Sequence, residues 1–370
     1  MPLDTPAPSS VTTPPAATAP RKAYADRDTP FIANTWYVAA TSGEIGRDLL
    51  SRTLLDRRVM FYRQQDGTLS ALHDRCCHRS MPLSEGYLDG DNVVCGYHGL
   101  TFDCTGTCVE VPSQKTPPAN VAVRSYPVVE RAPFIWFWPG DPDKADLALI
   151  LDTHCLQDDG WGSVHSATRV GCNYLRMHEN LMDLTHFTYL HAKTGVGTPA
   201  YVSAPFDVER DGDRVRILRV LKSSEPPPLY DIPMQLDGRT IDRVSDSWFE
   251  TPAFQIAHAQ ISVPDPTPGE RQDYHVEVLH ALTPESATST HYFWAQARDY
   301  RQDAAEVDKF TYDALTEAFL EDVVAVEAIE KVFDTDATPD FWEMNIDADK
   351  ASLLMRRIVR DLAIGEHGHA

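Results

Sequence analysis

The chain has 370 residues, 42% hydrophobic and 24% charged, which is enough for two or three domains and a sizeable core. A formal charge of −22 argues against nucleic acid, whose phosphates require clustered Lys and Arg. No apolar run approaches the ~18 residues of a membrane-spanning helix, so no membrane association is expected. Met1–Pro20 is rich in Pro, Ala, Thr and Ser and lacks the basic start and apolar middle of a secretory signal. It reads as the disordered tail of a cytoplasmic protein.

Residues 1–33 are expected to be this tail and a lead-in, with ordered structure starting near Asn34. From there to Trp138 the chain is β-like. Arg58–Arg63 and Thr68–Leu72 flank a Gln65-Asp66-Gly67 turn, and Pro133–Trp138 is a buried strand stopped by Pro139-Gly-Asp-Pro142. A domain boundary is placed at about 145, giving domains over 34–145 and 146–370. The second begins with a helical segment from about Tyr174 to His191. Strands follow at Val215–Leu221, Gln255–Val263, Tyr274–Leu282 and His291–Arg298, then helices at Ala304–Val332 and Lys350–Leu362. No Gly-rich phosphate loop is present, so the chain is not expected to bind a nicotinamide or flavin nucleotide itself.

Five of the seven cysteines crowd between Cys76 and Cys108. Cys76-x-His78 and Cys95-x-x-His98 are separated by sixteen residues, and each loop offers one thiolate and one imidazole. A structural zinc finger pairs Cys with Cys and His with His. Here each loop can give its Cys to one iron and its His to another, the ligand set of a Rieske-type [2Fe–2S] centre that passes single electrons. A Cys2His2 zinc site is the competing reading. Gly96 and Gly99 suit tight loop tips, and Cys77, Cys104 and Cys108 are expected to be bystanders.

In Asn180-Leu-Met-Asp183-Leu-Thr-His186-Phe-Thr-Tyr-Leu-His191 the histidines stand five apart, about 140° round a helix. Both rings can reach one metal only if the helix bends or ends between them. Two His and a carboxylate with open positions suit a mononuclear iron(II) that binds dioxygen. Asp183 can serve as ligand or as hydrogen-bond partner of the second nitrogen of His186. On the later helix, Leu315, Ala318, Phe319, Asp322, Ala325, Val326 and Ile329 form one stripe, with Asp322 in its middle. A carboxylate there must be paired or metal-bound. Helical geometry favours Asp322 over Glu321, which is expected to face solvent.

These motifs resemble the α subunit of Rieske non-heme iron oxygenases. Asn34-Thr-Trp-Tyr-Val-Ala, Phe137-Trp-Pro-Gly and Asn345-Ile-Asp-Ala are similar to the vanillate and dicamba O-demethylase branch, which includes N-dealkylating herbicide monooxygenases. The resemblance covers about residues 34–362. It implies an α+β chain in which an all-β Rieske domain is followed by a helix-grip (START-like) catalytic domain, assembled as a head-to-tail α3 homotrimer. The cluster ligands would be Cys76, His78, Cys95 and His98, and the iron ligands His186, His191 and Asp322. Asp183, with Asn180 of the same motif, is carried over as catalytic, Asp183 linking His186 to His98 of the next subunit. Cys77 departs from the proline usual at that place.

The implied activity is oxidative O- or N-dealkylation of an aromatic substrate with O2, releasing an aldehyde. Electrons from NAD(P)H would arrive through a separate ferredoxin or reductase. His280, on the apolar face of its strand with Val276, Val278 and Leu282, matches a pocket residue of dicamba-type relatives; Gln255 and His258 are further pocket candidates. Those relatives carry a substrate-facing Trp on the Asp322 helix. Its absence over Ala304–Val332 points away from a dicamba-like acid and toward a neutral aryl ether or anilide. The alternatives are arene dihydroxylation and, in another class, a Rieske electron carrier without catalysis of its own.

Overall fold

A computed structural model of the chain describes residues 23–338, 341 and 343–368. The expected tail, Met1–Pro20, lies outside the described residues. The lead-in is not loose, however. Ala25 and Ile32 are buried in the core of the C-terminal half, and Ala25 exchanges backbone and side-chain hydrogen bonds with Arg356. Two small apolar residues in a polar stretch gave no periodic signal of this docking.

The N-terminal half is built from short antiparallel strands. β1 (Tyr37–Thr41) pairs with β10 (Phe134–Phe137), which pairs with β9 (Val128–Arg131). A second sheet joins β2 (Leu50–Leu54), β3 (Arg57–Arg63) and β4 (Leu69–His73). A third runs β5 (Tyr87–Asp89), β6 (Asn92–Val94), β7 (Thr101–Phe102) and β8 (Cys108–Glu110). Val59–Tyr62 and Phe134–Phe137 are continuous buried runs, because both faces of those strands are covered.

The C-terminal half is a seven-stranded antiparallel sheet with helices on its inner face. The strands are β11 (Gly162–Val170), β12 (Phe206–Asp211), β13 (Arg214–Ser224), β14 (Ile241–Glu250), β15 (Phe254–Ser262), β16 (Asp273–Ser286) and β17 (Ser289–Arg298), in the spatial order β11-β17-β16-β15-β14-β13-β12. The helices are α1 (Tyr174–Met182), α2 (Ala200–Ser203), α3 (Pro228–Met234), α4 (Ala305–Thr335) and α5 (Lys350–His367). Long α4 lies across the sheet: Phe319 packs edge-on against His280 and Trp294, with ring centroids 5.4 and 5.2 Å away.

The expected boundary at about 145 falls in a connector of short turns between β10 and β11, but packing is continuous across it. The outer face of the large sheet supplies Phe254, Leu279 and Phe293 to the same core as Trp36, Phe134 and Trp136. Trp136 lies 5.3 Å from Phe254, and Thr283 Oγ donates to the Val38 carbonyl at 2.7 Å.

Two expectations about the helices need correction. The helix expected to reach His191 ends at Met182. Asp183 turns extended, with φ −104° and ψ 96°, and its carboxylate accepts the Thr185 N–H to start a separate 3-10 turn, Leu184–Thr188. The stripe on α4 also drifts at its end. Ile329 is exposed, while Glu330 is buried between Arg27 and Arg176, at 3.3 and 3.0 Å. The partners of Glu330 come from the lead-in and α1, so helical periodicity alone could not reveal them.

Candidate metal centres and active site

The two Cys-His loops repeat one hydrogen-bond pattern. Cys76 N donates to Met81 O and Ser80 N to Cys76 O; nineteen positions later Cys95 N donates to Leu100 O and Gly99 N to Cys95 O. Each loop turns on a left-handed residue at the same place, Ser80 (φ 60°) and Gly99 (φ 74°). Gly96 is tight for another reason: a β-carbon there would stand 2.8 Å from the Glu85 carbonyl. Under the first loop, buried Asp74 accepts from Ser51, Ser84 and Arg58 at 2.6–2.9 Å.

This near-twofold pair buries the Cys76 and Cys95 side chains and leaves the His78 and His98 rings exposed, 4.6 Å apart. Burial pushes the Cys76 thiol up to about 11, so thiolate there requires a cation. Thiols inside and imidazoles at the rim fit a mixed-ligand cluster, which Cys76 and Cys95 would hold from within and His78 and His98 from the surface. Cys77 is exposed, and all seven cysteines are free of disulfides.

The second site assembles where α1 ends. Because the helix stops before His186, the rings of His186 and His191 converge to 5.1 Å. Asp322 on α4 meets them: its Oδ1 lies 3.4 Å from His186 Nε2 and 3.3 Å from His191 Nε2. One ligand atom from each residue falls within 4.8 Å of the others. The other ring nitrogens are committed elsewhere. His186 Nδ1 donates to the Asp183 carbonyl at 2.5 Å, and His191 Nδ1 to Glu321 Oε2 at 2.9 Å. With the rings neutral, both Nε2 atoms therefore present lone pairs to a carboxylate oxygen, and among the described residues His186 Nε2 is buried without a hydrogen-bond partner. Such a constellation is repulsive unless a cation sits in it, so the residues present fit a 2-His-1-carboxylate metal.

A proton on the rings can stand in for that cation: burial alone would raise the Asp322 carboxyl, but hydrogen bonds and charge from the two imidazoles outweigh it and hold the pKa near 2. For His191 burial acts downward, and Asp322 with Glu321 overcomes it, raising the value. Asn180 Nδ2 donates to Asp322 Oδ1 at 3.0 Å, steadying the carboxylate.

Two details differ from the sequence reading. It is the carbonyl of Asp183, not its carboxylate, that meets His186. Glu321 is not simply solvated: it accepts from His191 and, at 3.0 Å, from Thr194 Oγ, and so fixes the imidazole. Position round the helix could not reveal this, since the loop that brings His191 to Glu321 is not periodic.

Beside the three residues lies a cavity bounded by the inner sheet face, α4 and the 184–191 turn. His280 and Gln255, adjacent on β16 and β15, line it. His280 is neutral near pH 7, because burial lowers its pKa to about 4, and its Nδ1 lies 2.7 Å from the Tyr292 hydroxyl. Gln255 donates to Leu181 O at 2.9 Å, and its buried Oε1 has no donor among the described residues. His258 borders the cavity wall, but its ring belongs to the opposite face of the sheet, where it pairs with Glu277 and is largely exposed. The period-two alternation that places Gln255 inward places His258 outward.

The sequence reading missed β14. Its inward residues are Ile241, Arg243, Ser245, Ser247 and Phe249, all buried, but three of the five are polar because they face the cavity. A polar run between polar outward residues shows no hydrophobic alternation. The Arg–Ser–Ser spacing of two was the available signal.

Two known domain families match the chain: the Rieske [2Fe-2S] domain over residues 35–127, and the vanillate O-demethylase oxygenase C-terminal domain over residues 170–364, more than half the chain. The chain is a Rieske non-heme iron oxygenase. Among its relatives, the oxygenase component of dicamba O-demethylase from Stenotrophomonas maltophilia is 37% identical over 303 residues, 81% of this chain and 88% of that one. The vanillate O-demethylase oxygenase subunit of a Pseudomonas strain is 32% identical over 345 residues, 91% of this chain and 96% of its own. The crystal structure of dicamba monooxygenase bound to 3,6-dichlorosalicylic acid superposes with a TM-score of 0.85 at 33% identity, covering 92% of this oxygenase and all of that chain. The oxygenase thus carries a [2Fe–2S] cluster and a mononuclear iron, uses O2, and is the oxygenase component of a system for oxidative demethylation or dealkylation, taking its electrons from a separate redox partner. No helix among the described residues is long and apolar enough to cross a membrane.

Proposed function

We propose that this oxygenase removes an O- or N-linked alkyl group from an aromatic substrate, with Cys76, His78, Cys95 and His98 holding the cluster and His186, His191 and Asp322 the iron. The observation that carries this reading is the trio of ligand atoms within 4.8 Å of one another in the wall of an apolar cavity. When bound, a ferrous ion there would activate dioxygen with electrons from the cluster and hydroxylate the alkyl carbon next to the heteroatom. The resulting hemiacetal or hemiaminal breaks its carbon–heteroatom bond, leaving a phenol or amine and an aldehyde.

The chain's own groups prepare this chemistry. Asp183, Glu321 and Asn180 set the proton positions and orientation of the ligating side chains. Leu181, Leu184, Phe187, Leu315, Ala318 and Phe319 keep the cavity apolar, which limits water beside the metal position. Neutral His280 and the free Oε1 of Gln255 are placed to hydrogen-bond the substrate.

The working unit is a head-to-tail trimer in which the exposed His98 of one subunit faces Asp183 of the next. In support, Asp183 spends one carboxylate oxygen on the Thr185 N–H, and no partner among the described residues takes the other. Electrons come from NAD(P)H through a ferredoxin or reductase, and the assembly works in the cytoplasm. The test is aldehyde release, with a generic reductase system, from a panel of aryl methyl ethers, N-alkyl anilides and plain arenes. Formaldehyde or a higher aldehyde in step with substrate loss is expected; a cis-diol without aldehyde would contradict it.

A further inference from the structure

Arg243 is the exception among the buried arginines. Arg219 donates to the carbonyls of Tyr201 and Ala204, Arg298 to Asp308 and the Arg301 carbonyl, and Arg356 to Glu179 and the Ala25 carbonyl. Arg243 is only 9% exposed, yet its side chain makes no hydrogen bond among the described residues, and no carboxylate lies within 4 Å of it. It is flanked by the rings of Tyr230 and Tyr201, 4.7 and 5.1 Å from the guanidinium carbon. Those rings attract the cation but offer little to its five N–H donors. A buried guanidinium with idle donors is costly unless an anion completes it.

The position of Arg243 says where that anion comes from, since Arg243 lines the same cavity as the iron ligands. On the inner sheet face, His280 is level with Gln255 and Phe249. Ser247 with Ala257, then Ser245 with Ala259, and then Arg243 with Ile261 follow along the strands. The two rows between the ends carry only Ser and Ala on β14 and β15, a floor without bulky side chains. Above it, ring contacts of 5.2 Å link His191 to Phe187 and Phe187 to Tyr201, which touches Arg243. The cavity therefore has a metal-ligand end, an apolar and small-residue middle, and a cationic end.

We infer that the substrate is an aromatic acid whose carboxylate or sulfonate pairs with Arg243, its alkylated heteroatom lying at the opposite end of the molecule toward His186, His191 and Asp322. This rests on the dealkylation reading for the reacting end only; the anion site stands on Arg243. It reverses the expectation of a neutral ether or anilide, which rested on a missing Trp in α4. The sequence lacks that Trp, but a cation on β14 offers stronger anion recognition from another wall.

The test uses the purified holoenzyme and matched acid and carboxamide pairs of increasing length, 4-methoxybenzoate with 4-methoxybenzamide and 4′-methoxybiphenyl-4-carboxylate with its carboxamide, together with 4-methoxybenzenesulfonate. Calorimetry should show at least one acid binding about ten- to a hundred-fold more tightly than its amide, the scale of a charge-assisted pair. Arg243→Gln should erase that preference while leaving the cluster spectrum and iron content unchanged, and Arg243→Lys should keep part of it. No preference for an acid anywhere in the panel, or a preference untouched in Arg243→Gln, overturns the inference. Aldehyde release separates the two readings. Acids bound through Arg243 without aldehyde count against dealkylation alone; aldehyde from neutral ethers only, with acids unbound, counts against the anion site alone.

Discussion

Glu321 offers the sharpest probe of how the iron site is held together. Its Oε2 receives the Nδ1 proton of His191 at 2.9 Å and the Thr194 hydroxyl at 3.0 Å, and the ring it orients is 1% exposed. Glu321→Ala removes a charge-assisted bond to a buried imidazole, about 1.5–3 kcal/mol. Because that bond selects the tautomer with Nε2 free, the loss falls on metal affinity, a weakening of roughly ten- to a hundred-fold. Glu321→Gln keeps an acceptor and should lose less. Thr194→Val removes only the neutral bond and should change affinity by about five-fold at most, on the scale of 0.5–1 kcal/mol. Anaerobic competition with a ferrous chelator reads the mononuclear site, with the cluster's visible spectrum as an internal control. Wild-type affinity in Glu321→Ala, with His191 and Asp322 intact, would refute the argument that this carboxylate positions the ligand.

Two further outcomes follow from burial. His178 is fully buried, its ring nitrogens make no well-formed hydrogen bond among the described residues, and desolvation lowers its pKa to about 3 against an opposing pull from the Pro252 backbone. The unfolded chain, with an ordinary His near 6.5, therefore takes up the proton first, and stability falls as pH drops through 6.5 toward 3. By pH 5 this amounts to about 2 kcal/mol. His178→Phe should abolish that component in denaturation curves at pH 7 and 5; an unchanged pH dependence would contradict it. At the domain contact, Trp136→Ala should cost about 3–5 kcal/mol, since the side chain is fully buried against Phe254. Thermal unfolding should show both halves losing stability together, whereas loss confined to the cluster domain would mean the shared core does not couple them.

Both candidate metal-binding sets were legible in the sequence because thiolates, imidazoles and a carboxylate on an apolar stripe are rarely arranged so without an ion. Their chemistry is local: two loops with matching turns, a broken helix, one Asp on a helix face. What escaped were features that depend on distant partners. Glu321 looks like surface until the 184–191 segment folds back onto α4. Glu330 looks like surface until Arg27 and Arg176 arrive from elsewhere. β14 hid because the middle of its inner face, Arg243, Ser245 and Ser247, serves the cavity and not the core, so the hydrophobic code for a strand is missing there. A metal required the helix to bend or end between His186 and His191, but it ends earlier, at Met182. The cause of that end, the Asp183 carboxylate capping the next turn, is a local competition that periodicity does not register.

One chain should hold a two-iron cluster and a separate iron that can be lost independently. Metal and acid-labile sulfide analysis of the wild type and of Asp322→Ala measures this directly. About three irons and two sulfides per chain are expected in the wild type, falling to about two irons and two sulfides in Asp322→Ala, with aldehyde formation abolished and the cluster spectrum retained. Zinc in place of iron, a wild type without sulfide, or an Asp322→Ala protein that keeps its third iron and its turnover would contradict it.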